Sequence, residues 1–261
     1  MKTFKAKKTL GQHFLKNPSV IKKIIDAADP THDDLVLEIG PGDGILTKEL
    51  LGFAGKVIAV EKDRRLISVL QKKFAGEITA GKLDLVEKDI LEWDEKILSF
   101  YRHPYKLVAN IPYYITGAIL EKFLSSKVQP SCVVLMVQKE IAERIIARSK
   151  KESLLSLSVK AYGKPKITAK VPRGNFYPMP KVDSAILSIE NISKNNFSSA
   201  RAEKRFFEIL RAGFAHKRKK LIRNLEIVDG TNWKGIFKKE GLPENIRAER
   251  VPLETWLRLA N

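Results

Sequence analysis

The order of apolar and polar positions predicts short strands alternating with amphipathic helices along most of the chain. Strand-like runs are predicted at Leu35–Ile39, Lys56–Val60, Leu83–Val86, Lys106–Ala109 and Cys132–Val137. Helical periodicity is predicted between and after them, at Ile45–Ala54, Asp63–Phe74, Ile115–Ser125 and Lys139–Ser149. This alternation is typical of a parallel sheet with helices on its faces.

The pattern changes in the last third of the chain. Two further strand-like runs, Lys166–Val171 and Ser184–Ile189, flank the Pro-rich loop PRGNFYPMPKVD. Residues 191–200 are polar and turn-prone, which indicates a linker, and the chain beyond them is helical in pattern and basic. We therefore predict an α/β domain over residues 1–192, with a basic arm at 1–16, and a small all-helical C-terminal domain over 193–261.

Composition limits the kind of protein this can be. The 261 residues, 44% of them hydrophobic, are enough for one α/β core and a small second domain. A single cysteine, Cys132, excludes a disulfide framework, and the four histidines lack metal-ligand spacing, so we expect no metal site. We also expect no signal peptide and no membrane span, which predicts a cytoplasmic protein.

Charge adds a prediction about the partner. The chain has 48 Lys and Arg against 30 Asp and Glu, for a formal net charge of +18. Such an excess favours a polyanion such as nucleic acid, because many cations together can neutralise phosphates. The alternative is that the excess only keeps the protein soluble.

A glycine-rich turn follows the first predicted strand. Gly40, Gly42 and Gly44 have the spacing G-x-G-x-G and open a helix, so a ligand can approach the backbone closely. The phosphate-binding spacings G-x-G-x-x-G and G-x-x-x-x-G-K-[ST] are absent from this turn. The turn therefore indicates a nucleoside without a pyrophosphate, such as S-adenosylmethionine, although such a turn can also be purely structural.

Two carboxylates follow later strands of the predicted sheet. Glu61 ends the second strand about 20 residues past the glycine turn, where an acidic residue can accept both ribose hydroxyls. Asp89 follows the third strand and can accept from the exocyclic amine of the cofactor's adenine. The structural alternatives are a solvated carboxylate at Glu61 and an N-cap of the following turn at Asp89.

The segment Asn110-Ile111-Pro112-Tyr113 directly follows the fourth strand and predicts the chemistry. The N6 amine of adenine is a poor nucleophile because its lone pair is delocalised into the ring. The Asn110 side-chain oxygen and the Ile111 carbonyl can accept its two N–H groups, and Pro112 restricts the direction of that carbonyl. Tyr113 offers a face on which a flipped base can stack. An ordinary β-turn is the alternative.

These motifs resemble the KsgA-type ribosomal RNA small-subunit adenine N6-dimethyltransferases, a family of Rossmann-like class I methyltransferases. The matching segments run almost end to end: LGQHFL at 10–15, EIGPGDGILT at 38–47, VEKD at 60–63, NIPYYIT at 110–116 and FYPMPKVDSAIL at 176–187. The resemblance implies S-adenosylmethionine as cofactor. It also implies dimethylation of adjacent adenines near the 3′ end of 16S rRNA and a role in small-subunit biogenesis.

The resemblance also implies which residues form the site. Those that would line the cofactor pocket are Gln12, His13, Leu15, Gly40, Glu61, Asp89 and Asn110. Phe176 would hold the target adenine from the face opposite Tyr113, although it could also be a core aromatic. His13 stands where many relatives carry Asn, so its cofactor contact is expected through the backbone.

Two basic clusters are predicted to bind RNA. One lies in the arm, at Lys5, Lys7 and Lys8, and the other at the start of a predicted helix, at Lys217, Arg218, Lys219, Lys220 and Arg223. A solvated charged face is the alternative for each. The expected partner is small-subunit rRNA within a pre-ribosomal 30S particle, bound by a monomer.

Two other functions remain open. The large-subunit rRNA adenine methyltransferases of the macrolide-resistance type share the NIPY and F-x-P-x-P motifs, whereas GFAHKRKKLIRNL resembles the small-subunit enzymes. A noncatalytic RNA-binding ribosome-assembly factor is the second alternative, against which the intact Asn110, Pro112 and Tyr113 argue.

Overall fold

The computed structural model describes residues 11–101, 104–228 and 230–260. Its strands are β1 (Phe14–Leu15), β2 (Leu35–Ile39), β3 (Lys56–Glu61), β4 (Leu83–Glu87), β5 (Tyr105–Asn110), β6 (Cys132–Gln138), β7 (Lys164–Val171), β8 (Phe176–Tyr177) and β9 (Ser184–Glu190). Its helices are α1 (Pro18–Ala28), α2 (Ile45–Phe53), α3 (Arg64–Lys73), α4 (Ala75–Thr79), α5 (Thr116–Ser125), α6 (Lys139–Ile145), α7 (Leu154–Lys160), α8 (Ala200–Phe214), α9 (Leu221–Leu225), α10 (Trp233–Lys239) and α11 (Leu253–Ala260).

Seven strands form one mixed sheet in the order β4-β3-β2-β5-β6-β9-β7. The first five are parallel to one another, as predicted, but β9 runs antiparallel to both β6 and β7. The central strand β2 is buried at every position, which explains its unbroken apolar run, whereas the edge strand β7 is mostly exposed or half-buried. The Rossmann-like α/β prediction is confirmed.

Helix α1 belongs to no predicted element, yet its sequence explains it. Asn17 caps the helix by accepting from the backbone N–H of Ser19 at 2.9 Å, and Pro18 occupies the first turn, where no N–H is needed. Its buried face, which includes Ile21 and Ile24, joins the core between helices and sheet. Residues 11–15, which line the cavity described below, come directly before this helix.

The contacts among its residues divide the chain into two compact units. Of the described residues, the first unit takes in those up to Ala142 together with Lys164–Ile192, and the second takes in Glu143–Gly163 together with those from Ser193 onward. The segment Glu143–Gly163 lies within the range predicted for the α/β domain. It groups with the second unit because Leu157 of α7 shares a core with Phe206 of α8.

The second unit is helical, as predicted for the C-terminal part of the chain. The predicted linker contributes to its core, because the ring of Phe197 lies 5.6 Å from that of Tyr162 and 5.4 Å from that of Phe206. Helix α6 ends at Ile145 rather than at the predicted Ser149, and Ala147 has a positive φ of 54°. No helix within the described part of the chain is long and apolar enough to cross a membrane.

Candidate active site

A cavity opens at the carboxyl edge of the parallel strands in the first unit. The glycine turn, the ends of β3 and β5, the segment after β4 and residues 11–15 line it. Measured out to its open mouth, its empty volume is about 1220 Å³. This edge is where α/β folds bind ligands, because loops and helix N-termini converge there.

The glycine turn requires glycine for two different reasons. Gly40 has a φ of 66° and open space where a Cβ would stand, so its backbone faces the cavity. Gly44 has a φ of 74°, and a Cβ there would lie 2.6 Å from the ring of Phe74. The predicted role of the turn as a close ligand approach therefore fits Gly40 and Gly42, which line the cavity, whereas Gly44 is needed for packing.

Glu61 closes the same turn from β3. One carboxylate oxygen accepts the backbone N–H of Asp63 at 2.8 Å and the other accepts that of Gly42 at 3.3 Å. Burial raises the pKa of Glu61, and the two backbone hydrogen bonds oppose that rise. Glu61 is buried rather than a solvated strand end, and it reaches the cavity with a carboxylate whose position the loop fixes.

Asp89 caps the turn that follows β4, which was the structural alternative to its predicted contact with the cofactor. Its Oδ1 accepts the backbone N–H of Leu91 at 3.0 Å, and its Oδ2 pairs with the Lys62 ammonium at 2.6 Å. The hydrogen bond from Lys62 lowers the pKa of Asp89, so the carboxylate is charged. Because Asp89 also lines the cavity, capping and a ligand contact are compatible.

Asn110, at the end of β5, is held by the segment before α1. Its amide Nδ2 donates to the backbone carbonyl of His13 at 3.2 Å. That bond distinguishes the two ends of the amide and leaves the side-chain oxygen without a partner among the described residues. Within the turn that follows, the carbonyls of Pro112 and Tyr113 accept from Ile115 and Thr116, respectively.

Tyr113 is fixed at both its ring and its hydroxyl. The hydroxyl lies 2.7 Å from the Oγ of Ser184, which is fully buried at the start of β9. The ring stacks with that of His13, with centroids 5.8 Å apart, and His13 Nδ1 lies 2.7 Å from the Pro178 carbonyl. Since a carbonyl only accepts, Nδ1 carries the proton. His13 thus positions Tyr113 with its ring and Asn110 with its backbone carbonyl.

Phe176 lies beside the cavity rather than in its lining. It is 5% exposed, belongs to the core of the first unit and pairs with Leu15 across the short β1–β8 ladder. Leu15 is a cavity-lining residue, so the pair connects the core to the site. The structure therefore displays the core role of Phe176, and its contact with an adenine stays a prediction.

Gln12 lines the cavity, and its link to the α/β core could not be predicted. Its Nε2 donates to Asp63 Oδ2 at 3.1 Å. Arg65 lowers the pKa of Asp63 to about 2, so this carboxylate remains charged. The ladder β1–β8 and this bond together hold residues 12–15 over the cavity.

Glu38 was not predicted as a site residue. It is the one charged residue in the apolar strand β2, is 1% exposed and lines the cavity. Burial raises its pKa to about 8, and its Oε2 has no hydrogen-bond partner among the described residues. A charged residue inside an otherwise apolar strand was the signal that could have identified it. Other unpredicted lining residues include Pro41, Ile45, Lys62, Ile90 and Tyr114.

The predicted RNA-binding residues are only partly described. Lys5, Lys7 and Lys8 lie outside the described residues. Lys217, Arg218, Lys219 and Lys220 are all exposed in the second unit. They form a loop between α8 and α9 rather than the start of a helix, because Lys220, with a ψ of 141°, is the N-cap of α9.

Arg223 lies within α9, where it pairs with Glu226 at 3.2 Å. The described residues contain no group of three or more His, Cys, Asp or Glu side chains placed to hold a metal ion.

Comparison with known proteins identifies the family of this chain. Residues 3–261 match the family described as "Ribosomal RNA adenine dimethylase". A relative from Dehalococcoides mccartyi, named ribosomal RNA small subunit methyltransferase A, is 44% identical over 98% of this chain and 88% of its own.

Two solved structures resemble the chain over nearly its whole length. A dimethyladenosine transferase from Plasmodium falciparum superposes with a TM-score of 0.78 at 30% identity, covering 95% of this chain and 96% of its own. The 23S rRNA methyltransferase ErmE superposes with a TM-score of 0.76 at 27% identity, covering 95% and 98%. The chain therefore belongs to the ribosomal RNA adenine dimethylase family and is a methyltransferase of Rossmann-like fold.

Proposed function

We propose that this protein transfers methyl groups from S-adenosylmethionine to the N6 amines of two adjacent adenines near the 3′ end of 16S rRNA. The observation that carries the proposal is the position of Asn110, whose amide nitrogen is bound by His13 and whose oxygen is left for a substrate. The segment that holds this residue lies on the same cavity as the glycine turn and Glu61.

The residues around the cavity fit the cofactor. Gly40 leaves open space at the turn, and Glu61 presents a fixed carboxylate of the kind that accepts ribose hydroxyls. Asp89 is charged and can accept from an adenine amine, and buried Ile90 beside it supplies an apolar wall. When bound, S-adenosylmethionine would supply an electrophilic methyl group on its sulfonium.

The protein's own part in the reaction is to shape the nucleophile. The Asn110 oxygen and the Ile111 carbonyl would each accept one N–H of the amine, which draws the nitrogen toward a tetrahedral geometry. Its lone pair then becomes available to the methyl group. Preorganised polar groups of this kind are among the larger contributions to catalysis, because they need no rearrangement during the reaction. Tyr113, fixed by Ser184, would hold the plane of the base.

Small-subunit rRNA is favoured over large-subunit rRNA by the relatives. The small subunit methyltransferase A relative is 44% identical, whereas the 23S rRNA methyltransferase structure is 27% identical. A purely noncatalytic assembly factor is disfavoured by the positioned Asn110 and Tyr113. We further propose that a monomer acts in the cytoplasm on a pre-ribosomal 30S particle.

Methylation of purified ribosomal subunits tests the proposal. The protein and labelled S-adenosylmethionine are incubated with small and large subunits isolated from cells that lack this gene, and modified adenines are mapped. Dimethylation of two neighbouring adenines in 16S rRNA is expected. Label found only in large-subunit RNA would support the macrolide-resistance type instead, and no label in either RNA would overturn the proposed activity.

A further inference from the structure

An exposed surface with an aromatic side chain lies at β8 and in the loop that follows it. None of the roles described above uses this surface. We define the Tyr177 platform as Lys16, Tyr177, Met179, Lys181 and Val182. Tyr177, Met179 and Val182 are 54%, 59% and 44% exposed, respectively, although each is apolar or aromatic. The three lie within six residues of one loop, and exposed apolar side chains that adjoin one another often mark an interaction site.

The platform is attached directly to the wall of the cavity. Tyr177 pairs with Phe14 across the β1–β8 ladder, and Phe14 lines the cavity. The next carbonyl, that of Pro178, lies 2.7 Å from the ring nitrogen of His13, whose ring stacks on Tyr113. A group bound on Tyr177 would therefore lie next to a base held at Tyr113.

A lysine ammonium covers one face of the aromatic ring. The Lys16 ammonium lies 4.2 Å from the centroid of the Tyr177 ring, and the Lys16 backbone N–H is fixed to the Asn175 carbonyl at 3.0 Å. Lys181 is exposed in the same loop, where Arg173 donates to its carbonyl. The nearby acid Asp183 accepts from the Arg173 backbone N–H at 3.0 Å.

An exposed aromatic ring with one ammonium group over it and a second lysine in the same loop suits one nucleotide of a single-stranded RNA. Flipping an adenine into the site removes a stacking partner from its neighbour, which makes an unstacked base available. An exposed ring can replace that partner for any base, while lysines contact the phosphate. We infer that the Tyr177 platform binds the nucleotide adjacent to the target adenine, by stacking its base on Tyr177 and pairing its phosphate with Lys16.

This inference rests on the proposed function, and a binding experiment separates the two. Affinity for unmethylated small subunits is measured with S-adenosylhomocysteine present, so that no methyl transfer is needed. Tyr177→Ser is expected to weaken binding by about 5- to 150-fold, the range for loss of one base–aromatic stack. Tyr177→Phe, which keeps the ring, should remain within about 2-fold of wild type.

A matched control removes an exposed aromatic elsewhere on the first unit. Phe53 is 47% exposed at the C-terminal end of α2, the end away from the glycine turn, so Phe53→Ser should not change affinity. Equal affinity of Tyr177→Ser and Phe53→Ser would overturn the inference, as would equal losses in Tyr177→Ser and Tyr177→Phe. Methyl transfer by the wild-type protein is scored separately, so failure of the proposed activity leaves this comparison intact.

The identity of the partner is tested by cross-linking. A photoreactive phenylalanine analogue at position 177 is expected to cross-link to 16S rRNA at a nucleotide next to the methylated adenines. A cross-link to a ribosomal protein alone would show that the platform docks protein instead, and would overturn the inference.

Discussion

At the scale of single residues, the site is built from side chains whose polar ends are divided between protein and ligand. The amide nitrogen of Asn110 donates to the His13 carbonyl, which leaves the amide oxygen for a ligand. Each carboxylate oxygen of Glu61 accepts one backbone N–H. Each oxygen of Glu61 still has lone-pair capacity for a ligand. The side chains are therefore oriented before a substrate arrives, which is the condition for strong electrostatic stabilisation.

Replacing Asn110 should affect the chemical step. Asn110→Ala removes one of two acceptors for the amine, so single-turnover methyl transfer with prebound RNA and cofactor should slow by about 100- to 1000-fold. Cofactor affinity, measured by calorimetry, would separate this effect from damage to the pocket. Transfer at the wild-type rate by Asn110→Ala would contradict the proposed role of its oxygen.

Replacing Tyr113 should affect RNA binding rather than the chemical step, because its ring would stack on the base when the base enters the site. Tyr113→Ala should weaken RNA engagement, since stacking is worth about 1–3 kcal/mol per base. Tyr113→Phe keeps the ring but loses the hydroxyl bond to Ser184. It should therefore retain most RNA affinity, and a loss as large as that of Tyr113→Ala would point to the hydroxyl instead of the ring.

Glu38 should make stability depend on pH. Burial raises the pKa of Glu38 from its ordinary value of 4.5 to about 8, so the folded state keeps a proton that the unfolded chain loses. The free energy of unfolding should fall as pH rises from 4.5 to 8, by at most about 1.4 kcal/mol per pH unit from this group. The contribution is fully present below pH 4.5 and lost above pH 8.

Glu38→Gln removes this proton linkage, so its stability relative to wild type should rise between pH 5 and pH 8 in denaturant titrations. Glu49→Gln, at an exposed position of α2, serves as the control and should show no such rise. Stability curves of Glu38→Gln and wild type that stay parallel across this range would contradict the raised pKa.

At the scale of elements, the strands of the sheet could be predicted to within two residues. Inner strands such as β2 are apolar runs buried on both faces, and the edge strand β7 shows the alternation of a strand with one exposed face. The antiparallel direction of β9 could not, since a buried strand has the same composition in either direction. The long-range hydrogen bonds that hold the site residues in place could not be predicted either. Gln12–Asp63 and Tyr113–Ser184 join residues 51 and 71 positions apart, and neither pair has a local sequence signal.

Packing between α8 and α11 provides a test at this scale. A Cβ at Gly213 would lie 2.3 Å from the ring of Trp256, which is fully buried. Gly213→Ala should therefore lower the free energy of unfolding of the second unit by about 1–3 kcal/mol. Gly52→Ala, in α2 with open space around it, should instead be neutral or stabilising by up to about 1 kcal/mol. Thermal or denaturant unfolding that ranks Gly213→Ala with Gly52→Ala would contradict this packing.

At the scale of the whole molecule, the net charge of +18 becomes informative only where cations are exposed and held in place. The basic loop, which we define as Lys217, Arg218, Lys219 and Lys220, meets both conditions. Asn224 is buried and donates from Nδ2 to the carbonyls of Gly213 at 2.6 Å and His216 at 3.2 Å. These bonds fix the start of the loop, while its four side chains are exposed.

Neutralising the basic loop should change how RNA binding depends on salt. Replacing its four cations by Gln removes up to four phosphate contacts, and each contact to single-stranded RNA contributes about 0.7 to the slope of log affinity against log salt. The slope should therefore become shallower by up to about 3, while cofactor affinity stays unchanged. A control variant with Gln at Lys204, Lys234, Lys238 and Lys239 removes the same charge from exposed positions of the same unit. If both variants flatten the slope equally, net charge alone accounts for RNA affinity and the basic loop has no specific contact with phosphate.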